Sequence, residues 1–395
     1  MRKEVFIIEA KRTATGKYGG SLSLAPASDL AAQLIKYISF KFPKIINRID
    51  EIIIGNVLSA GIGQNPARIA AMKGGLSHQI PAFTINKVCG SGLKSIILGT
   101  QIIQNDDANL IMAGGMENMS QCPYYLDKHR FGAKFNHHVL RDGMLTDGLF
   151  CSLIGKHMGF TAEILAKKYK ISRIEQDLFA LNSHKKAMVA IDNNKFKEEI
   201  IPIKISSQNK DFIFKEDEQV RKKISIDSLS KLKPVFKKNG TVTAGNSCPL
   251  SDGAAIVLLA TEKMIKKYHL IPKVIIKSYA YLGFNPRYMG LGSYYAAKKC
   301  LKKVGLKPSS VGLWEINEAF ASQSLAVLKL LKINPEIVNV NGGAIALGHP
   351  IGASGTKILT TLIYELKRRK LRYGMASLCI GGGQGIAILI ENINC

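Results

Sequence analysis

Four side chains of this sequence could do chemistry together, each at the expected end of a strand or start of a helix and three of them near glycine. Cys89 lies in Val88-Cys89-Gly90-Ser91-Gly92, after the β-branched and aromatic run Phe83-Thr84-Ile85 and before Leu93, Ile96, Ile97 and Ile103 at helical spacing. A cysteine at a helix N-terminus meets free N–H groups and the positive end of the helix dipole, which favour a thiolate over a thiol. The bland alternative is a buried structural cysteine, because a free Cys behaves as a small hydrophobe. Its potential partners argue for chemistry. Asn317 follows a strand-like run and opens Asn317-Glu318-Ala319-Phe320; His349 sits in the glycine-rich stretch 341–350 ahead of a helix; Cys379 ends a strand before Ile380-Gly381-Gly382-Gly383. Two thiols, an imidazole and an amide at such positions suit thiol-based acyl transfer with acid/base help.

Elements able to hold these residues can be read along the chain. A strand at 5–8 opens it, 11–20 reads as a loop without the G-x-x-x-x-G-K-[ST] phosphate pattern, and a helix follows at 27–38. A strand at 49–56, a helix begun by Pro66, the Cys89 unit and a strand ending at Ala113 with a glycine turn Gly114-Gly115 complete the first third. Strand and helix alternate, which predicts a layered α/β domain. Between Met116 and Asn246 the rhythm breaks, leaving helices near 161–168 and 174–191 and a lysine-rich stretch, 204–238, that reads as a solvated face. This region is too long for a loop and is expected to be a subdomain covering a site.

The last third restores the alternation and repeats the first. Ile52-Ile53-Ile54-Gly55-Asn56 matches Leu313-Trp314-Glu315-Ile316-Asn317, Ser91-Gly92-Leu93-Lys94 matches Ser354-Gly355-Thr356-Lys357, and the turn Gly114-Gly115 matches Gly382-Gly383. Three landmarks in one order at nearly fixed separation point to a duplicated α/β unit with equivalent helix starts around one cleft.

Composition narrows the class. With 395 residues, 46% of them hydrophobic, the chain suits two or three core units, and no apolar run is long enough for a membrane helix. Its start lacks a signal-peptide pattern. Seven scattered cysteines without a C-x-x-C argue against a disulfide framework or zinc site and for a reducing cytoplasm. Lys and Arg number 55 against 29 acids, a net charge of +26 that attracts anions. There is no nucleic-acid motif, and the excess is mostly lysine accompanied by many Ile and Asn, as compositional drift would produce; neither nucleic acid nor membrane is the expected partner.

At these residues the chain resembles the thiolase family. Val88-Cys89-Gly90-Ser91-Gly92, Asn317-Glu318-Ala319-Phe320, Gly342-Gly343-Ala344 with Gly348-His349-Pro350, and Cys379-Ile380-Gly381-Gly382-Gly383 each resemble a family signature, in family order. The resemblance implies an α/β thiolase fold, two duplicated halves forming a five-layered α/β/α/β/α core with an inserted loop domain. The halves would be 1–118, completed by 249–271, and 272–395, with the coenzyme A-binding loop domain at 119–248. Cys89 would be the nucleophile that takes an acyl group from a thioester, helped by His349, and Cys379 would move the α-proton of a second acyl-CoA. One oxyanion hole would use His349 and a water held by Asn317, the other the N–H groups of Cys89 and Gly381. For coenzyme A the resemblance points to His157, Arg221 and Ser228, and to Cys248 where the family usually has serine. Met158, Met289, Ala319 and Phe320 belong to the same implied coenzyme A-binding set, and His157-Met158-Gly159 with Met289 resembles the class that handles short acyl groups. The implied reaction is the reversible Claisen condensation of two acetyl-CoA to acetoacetyl-CoA and CoA; the alternatives are a longer-chain 3-ketoacyl-CoA thiolase and a non-catalytic acyl-CoA-binding member. No cofactor is implied, coenzyme A thioesters being substrate and product, and a homo-oligomer, dimer or tetramer, is expected.

Overall fold

The structure is a computed structural model that describes residues 3–205 and 211–393; Cys395 and part of the lysine-rich stretch lie outside the described residues. The first half contains β1 (Val5–Arg12), β2 (Glu51–Gly55), β3 (Ala82–Ile85), β4 (Leu110–Asn118) and β5 (Ser251–Thr261), in the order β1-β5-β4-β2-β3. β1, β5 and β4 pair antiparallel, while β2 runs parallel to both neighbours. Its helices are α1 (Ala27–Lys41), α2 (Pro66–Lys73) and α3 (Ser91–Gln104). Between β4 and β5 the chain leaves the sheet and forms α4 (Met158–Lys168), α5 (Arg173–Asp192), the single turn α6 (Ile226–Ser230) and short hairpins. After α7 (Glu262–Tyr268), the second half contains β6 (Val274–Gly283), β7 (Leu313–Ile316), β8 (Tyr373–Ile380) and β9 (Gln384–Asn392), in the order β6-β9-β8-β7. With them come α8 (Gly292–Lys302), α9 (Ala321–Leu331), the single turn α10 (Ala344–Leu347) and α11 (Ser354–Arg368).

The second half repeats the pairing of the first. β6-β9-β8-β7 runs antiparallel, antiparallel, parallel, as β1-β5-β4-β2 does, and both opening strands carry a register shift, at Ile7/Glu9 and at Ile276/Ser278. The halves join through two residue pairs, Phe6 with Ile275 and Ile7 with Val274.

Apolar faces account for the layers. Leu30, Leu34 and Ile38 of α1 bury against Ile52, Ile54 and Leu258 on one outer face. α3 and α11 lie between the halves, Leu93, Ile96, Leu359 and Leu362 filling the space bounded by Ile53, Val257, Leu378 and Ile388. On the other outer face Ala297 and Leu301 of α8 and Val327 and Leu331 of α9 cover Trp314, Met375 and Leu389. The layers run helix, sheet, helix, sheet, helix, the five-layered α/β/α/β/α order that the resemblance implies. No helix among the described residues is long and apolar enough to cross a membrane.

The two matching Ser-Gly motifs touch each other at the centre. A Cβ on Gly92 would lie 2.8 Å from Thr356 Oγ1, and one on Gly355 would lie 2.5 Å from Leu93 N, so only glycine lets α3 and α11 approach this closely. Thr356 Oγ1 donates to the Gly92 carbonyl at 2.9 Å.

Two sequence readings are corrected. Gly114 and Gly115 form no turn: β4 runs through them to Asn118, and they are glycines because a Cβ on Gly114 would fall 2.2 Å from the Ala255 carbonyl oxygen and one on Gly115 2.0 Å from that of Gly352. By register Gly115 pairs with Gly55 as Ser377 pairs with Ile316, so the repeat of Gly115 is Ser377 and not the turn at Gly382-Gly383. Nor does the opening strand stop before Lys11. It continues to Arg12, which is 1% exposed and gains its partners from residues roughly two hundred positions away, Glu199 and Asp217. Alternation of apolar residues cannot announce a charge whose compensation is that remote.

Candidate active site

Cys89 stands between β3 and α3, one residue before the Gly90 cap. The turn is held tightly. Asn86 Oδ1 accepts from Val88 N at 2.8 Å, Lys87 N donates to Ser91 Oγ at 2.8 Å, and the Ser91 hydroxyl donates to the Val88 carbonyl at 2.6 Å. Val88 has φ +49°, a left-handed conformation that costs a β-branched residue about 1–2 kcal/mol. The backbone N–H of Gly381 and that of Cys89 itself point at the sulfur. They do not win. The helix-start reading expects a lowered thiol pKa, but burial outweighs those donors and pushes Cys89 up to about 11. The thiol form therefore dominates in the ligand-free protein, and deprotonation needs a base.

His349 is held in the tautomer of a base. It follows α10 and Gly348, whose φ of +84° is demanded by crowding, since a Cβ there would lie 2.5 Å from Ser251 Oγ. His349 Nδ1 is 2.5 Å from Ser354 Oγ, and the Ser354 hydroxyl lies 2.8 Å from the Pro350 carbonyl, to which it donates its single hydrogen. Ser354 must then accept from Nδ1–H, which leaves Nε2 with its lone pair. That nitrogen faces the Asn317 amide, Nδ2 to Nε2 being 3.4 Å. Burial, with the charge of Lys357 nearby, holds His349 down at about 3, so it is neutral at ordinary pH. Asn317 Oδ1 is buried without a hydrogen-bond partner among the described residues, an acceptor able to hold a water.

Cys379, 1% exposed at the end of β8, packs among Met158, Met289, Ala319 and Phe320. Burial raises its pKa, and the neighbouring Cys89 and Cys248 raise it further. Cys248 is half-buried, its N–H donating to the Ala319 carbonyl at 3.1 Å, and burial with Cys89 nearby raises its thiol as well. Three thiols thus interact in one region, with Gly381 over Cys89.

His157 caps α4, its Nδ1 accepting from Gly159 N at 3.0 Å, and burial lowers its pKa. Its ring stacks on Phe236 at 4.6 Å, and Phe236 meets Phe320 edge-on at 6.0 Å. This aromatic row connects the loop region to the thiol cluster. Arg221 and Ser228 are exposed and stand apart from the cluster. The Arg221 guanidinium has no partner among the described residues, while Ser228 forms a capping box with Ser225, its hydroxyl donating to the Ser225 carbonyl at 2.7 Å. A cavity of about 510 Å³ runs past Val88, Gly381 and Met158 to Phe150 and Leu153.

The sequence reading missed Ser354, Ser251 and Phe236. Ser354 had a signal, being five residues beyond His349 at the start of a helix; Phe236, in a lysine-rich run, had none.

A family model described as the thiolase N-terminal domain matches residues 5–263, and one described as the thiolase C-terminal domain matches 270–392. The chain is 49% identical over 388 residues to a protein of Staphylococcus aureus (strain COL) named probable acetyl-CoA acyltransferase, the match covering 98% of each. Among solved structures it is similar to the Bacillus anthracis acetyl-CoA acetyltransferase, with a TM-score of 0.97, 40% identity and 99% of each chain covered. It is similar as well to the human mitochondrial 3-ketoacyl-CoA thiolase, with a TM-score of 0.96, 41% identity and the same coverage.

Proposed function

This chain belongs to the thiolase family and is an acyltransferase, and on that premise we propose that it is an acetyl-CoA C-acetyltransferase, interconverting two acetyl-CoA with acetoacetyl-CoA and CoA. The observation that carries this reading is the meeting of Cys89 and Cys379, with Met158, Met289, Ala319 and Phe320 packed around the second thiol, together with a His349 tautomer whose Nε2 is an acceptor facing Asn317. In the cleavage direction His349 Nε2 takes the Cys89 proton, and the sulfur attacks the 3-keto carbon. The bond between C2 and C3 breaks, and Cys379 gives its proton to the departing carbanion of acetyl-CoA. Coenzyme A then gives its thiol proton to the Cys379 thiolate and displaces the acetyl group from Cys89, whose sulfur recovers its proton from His349. Having gained a proton, His349 becomes a donor for the thioester oxygen beside a water on Asn317, while the N–H groups of Cys89 and Gly381 serve the other oxyanion. Every proton and acyl group is carried by side chains or by coenzyme A, so the reading needs no cofactor.

For coenzyme A, the His157–Phe236–Phe320 row with Met158, Met289 and Cys248 would line the arm near the thiols, and exposed Arg221 and Ser228 would hold the phosphate-bearing end. Exposed Phe131, Phe135 and Val139 support a homo-oligomer, dimer or tetramer, in the cytoplasm, which a sedimentation measurement would size.

A longer-chain 3-ketoacyl-CoA thiolase is the second reading. The cavity beyond Met158 favours it, having far more room than an acetyl group fills. CoA-dependent loss of acetoacetyl-CoA, measured beside a longer 3-ketoacyl-CoA, decides. Preference for acetoacetyl-CoA supports the first reading, preference for the longer substrate replaces it with the second, and inactivity on both removes each.

A further inference from the structure

Lys357 is 6% exposed, and its Nζ donates to the carbonyls of Leu347 at 2.6 Å and Gly348 at 2.8 Å, the two residues that lead into His349. It lies one turn beyond Ser354 on α11, so a single helix face holds both the imidazole and the backbone that carries it. Burying an amine is costly, and the fold surrounds this one with charge. Asp217, Arg12, Glu199 and Glu315 all act on Lys357, burial being the largest influence and bringing its pKa down to about 7. Two acceptors need two hydrogens, so the clamp holds with the amine charged or neutral.

The cluster behind Lys357 reaches into the loop region. Arg12 forms a two-pronged pair with Asp217, Nη1 to Oδ1 at 2.8 Å and Nη2 to Oδ2 at 2.9 Å, and its Nε meets Glu199 at 2.7 Å. Thr361, one turn further along α11, donates to the same Glu199 at 2.9 Å. Two residues after Asp217, Gln219 Nε2 donates to Ser251 Oγ at 3.2 Å, and that oxygen accepts from His349 N at 3.0 Å. Two residues later comes Arg221.

We propose that Lys357 is a positioning residue for acyl transfer: it clamps the Leu347–Gly348 backbone so that His349 presents Nε2 toward Asn317 and Cys89, and the Arg12–Asp217–Glu199 cluster joins that setting to the segment carrying Arg221. The inference rests on the thiolase reading of the site and deepens it. The function of Lys357 lies in geometry, so substitution acts on turnover more than on substrate affinity.

The full chain is tested as Lys357→Met and Lys357→Arg. Acetyl-Cys89 formed from labelled acetyl-CoA counts competent sites, kcat and KM for acetoacetyl-CoA are measured per site, and the rate of Cys89 alkylation by iodoacetamide is followed without substrate. Expected is a fall of about 100-fold in kcat for Met with KM within about 3-fold, and slower alkylation by about 10-fold. Arg, which can donate to the same two carbonyls, restores kcat to within about 5-fold of wild type. An unchanged kcat per site in Lys357→Met, or Arg no better than Met, overturns the proposal. If Met does not fold, Lys357→Arg alone decides: retained turnover supports the clamp, and a loss of about 100-fold in a stable protein overturns it. Were wild type to cleave no 3-ketoacyl-CoA, the functional reading would fall, and the alkylation rates would still support or overturn the clamp.

Discussion

At the start of α3 the chain places Cys89 opposite Cys379, and at the start of α11 the duplicated position holds Gly352 opposite Glu117. The register makes these equivalents: Gly92 and Gly355 meet across the centre, Cys379 lies two residues beyond Ser377, and Glu117 lies two beyond Gly115. In the α11 tip the Glu117 carboxylate is tied by four donors. Glu117 accepts from Gly352 N at 2.9 Å, Val57 N at 3.1 Å, Leu58 N at 3.2 Å and Asn56 Nδ2 at 2.8 Å. The α3 tip replaces that carboxylate with a thiol and redirects the second asparagine: Asn317, the counterpart of Asn56, faces His349 instead. One copy is closed by hydrogen bonds and supports the fold; the other leaves polar groups for a substrate. Duplication supplied two similar frames, and the side chains decide which can react.

The largest effect that separates the two tips comes from alanine at each. Cys89→Ala removes the nucleophile and should lower kcat by at least ~10⁴-fold, with the melting temperature unchanged. Gly352→Ala should do the reverse in kind, because its Cβ would lie 2.5 Å from the Met116 carbonyl oxygen and 3.0 Å from Asn56 Cα. A loss of about 3 kcal/mol by denaturant titration is expected. If Gly352→Ala were as stable as wild type, the closed tip would not be the structural one.

The facing pair gives the next contrast. Cys379→Ser should keep stability within about 1 kcal/mol and slow condensation by about 100-fold, since a hydroxyl is a poor base for the α-proton. Glu117→Gln takes one acceptor oxygen from three backbone N–H groups and should cost about 1–3 kcal/mol in unfolding measurements. Equal stability losses from both substitutions would erase the division between the tips.

What the sequence disclosed follows the same division. Cys89, His349 and Cys379 were legible because glycine marks each, a local signal at an element end, and Asn317 because it follows a strand-like run and opens Asn317-Glu318-Ala319-Phe320. The match of Ser91-Gly92 to Ser354-Gly355 was legible for the same reason. Gly114-Gly115 misled because its glycines serve close contacts, Gly114 with Ala255 and Gly115 with Gly352, which no local pattern distinguishes from a turn. The Arg12, Asp217 and Glu199 cluster was hidden, its members coming from β1 and the inserted region. The raised Cys89 pKa was hidden too, because burial is a property of the assembled layers and the helix start is a property of the chain.

The imidazole at the open tip leaves a pH signature. His349 has a folded pKa of about 3 against an ordinary value of 6.5, so the unfolded chain binds a proton that the folded one refuses. Stability from this residue is complete above pH 6.5 and is lost as pH falls toward 3, by about 3 kcal/mol at pH 4. His349→Gln should flatten that part of the unfolding free-energy curve. An unaltered slope would mean that His349 is not the neutral, buried group the tautomer argument requires.

The smallest effect tests backbone strain, which the two tips do not share. Val88 precedes Cys89 with φ +49°, whereas Ile351, the equivalent residue before Gly352, is buried and has no positive φ. In Val88→Gly the relief of about 1–2 kcal/mol is offset by the added freedom of glycine in the unfolded chain, so stability should stay within about 1 kcal/mol. Ile351→Gly has no strain to relieve and empties a packed site, and should cost about 2–5 kcal/mol. Activity should sort the other way. Val88 lines the cavity and would meet a Cβ on Gly381 at 3.3 Å, so its loss frees the turn that aims the sulfur, lowering kcat about 10-fold. Were Val88→Gly to keep full turnover, the strained conformation would be incidental to the tight turn; a stable but slow variant would mean that the strain serves the thiol's aim.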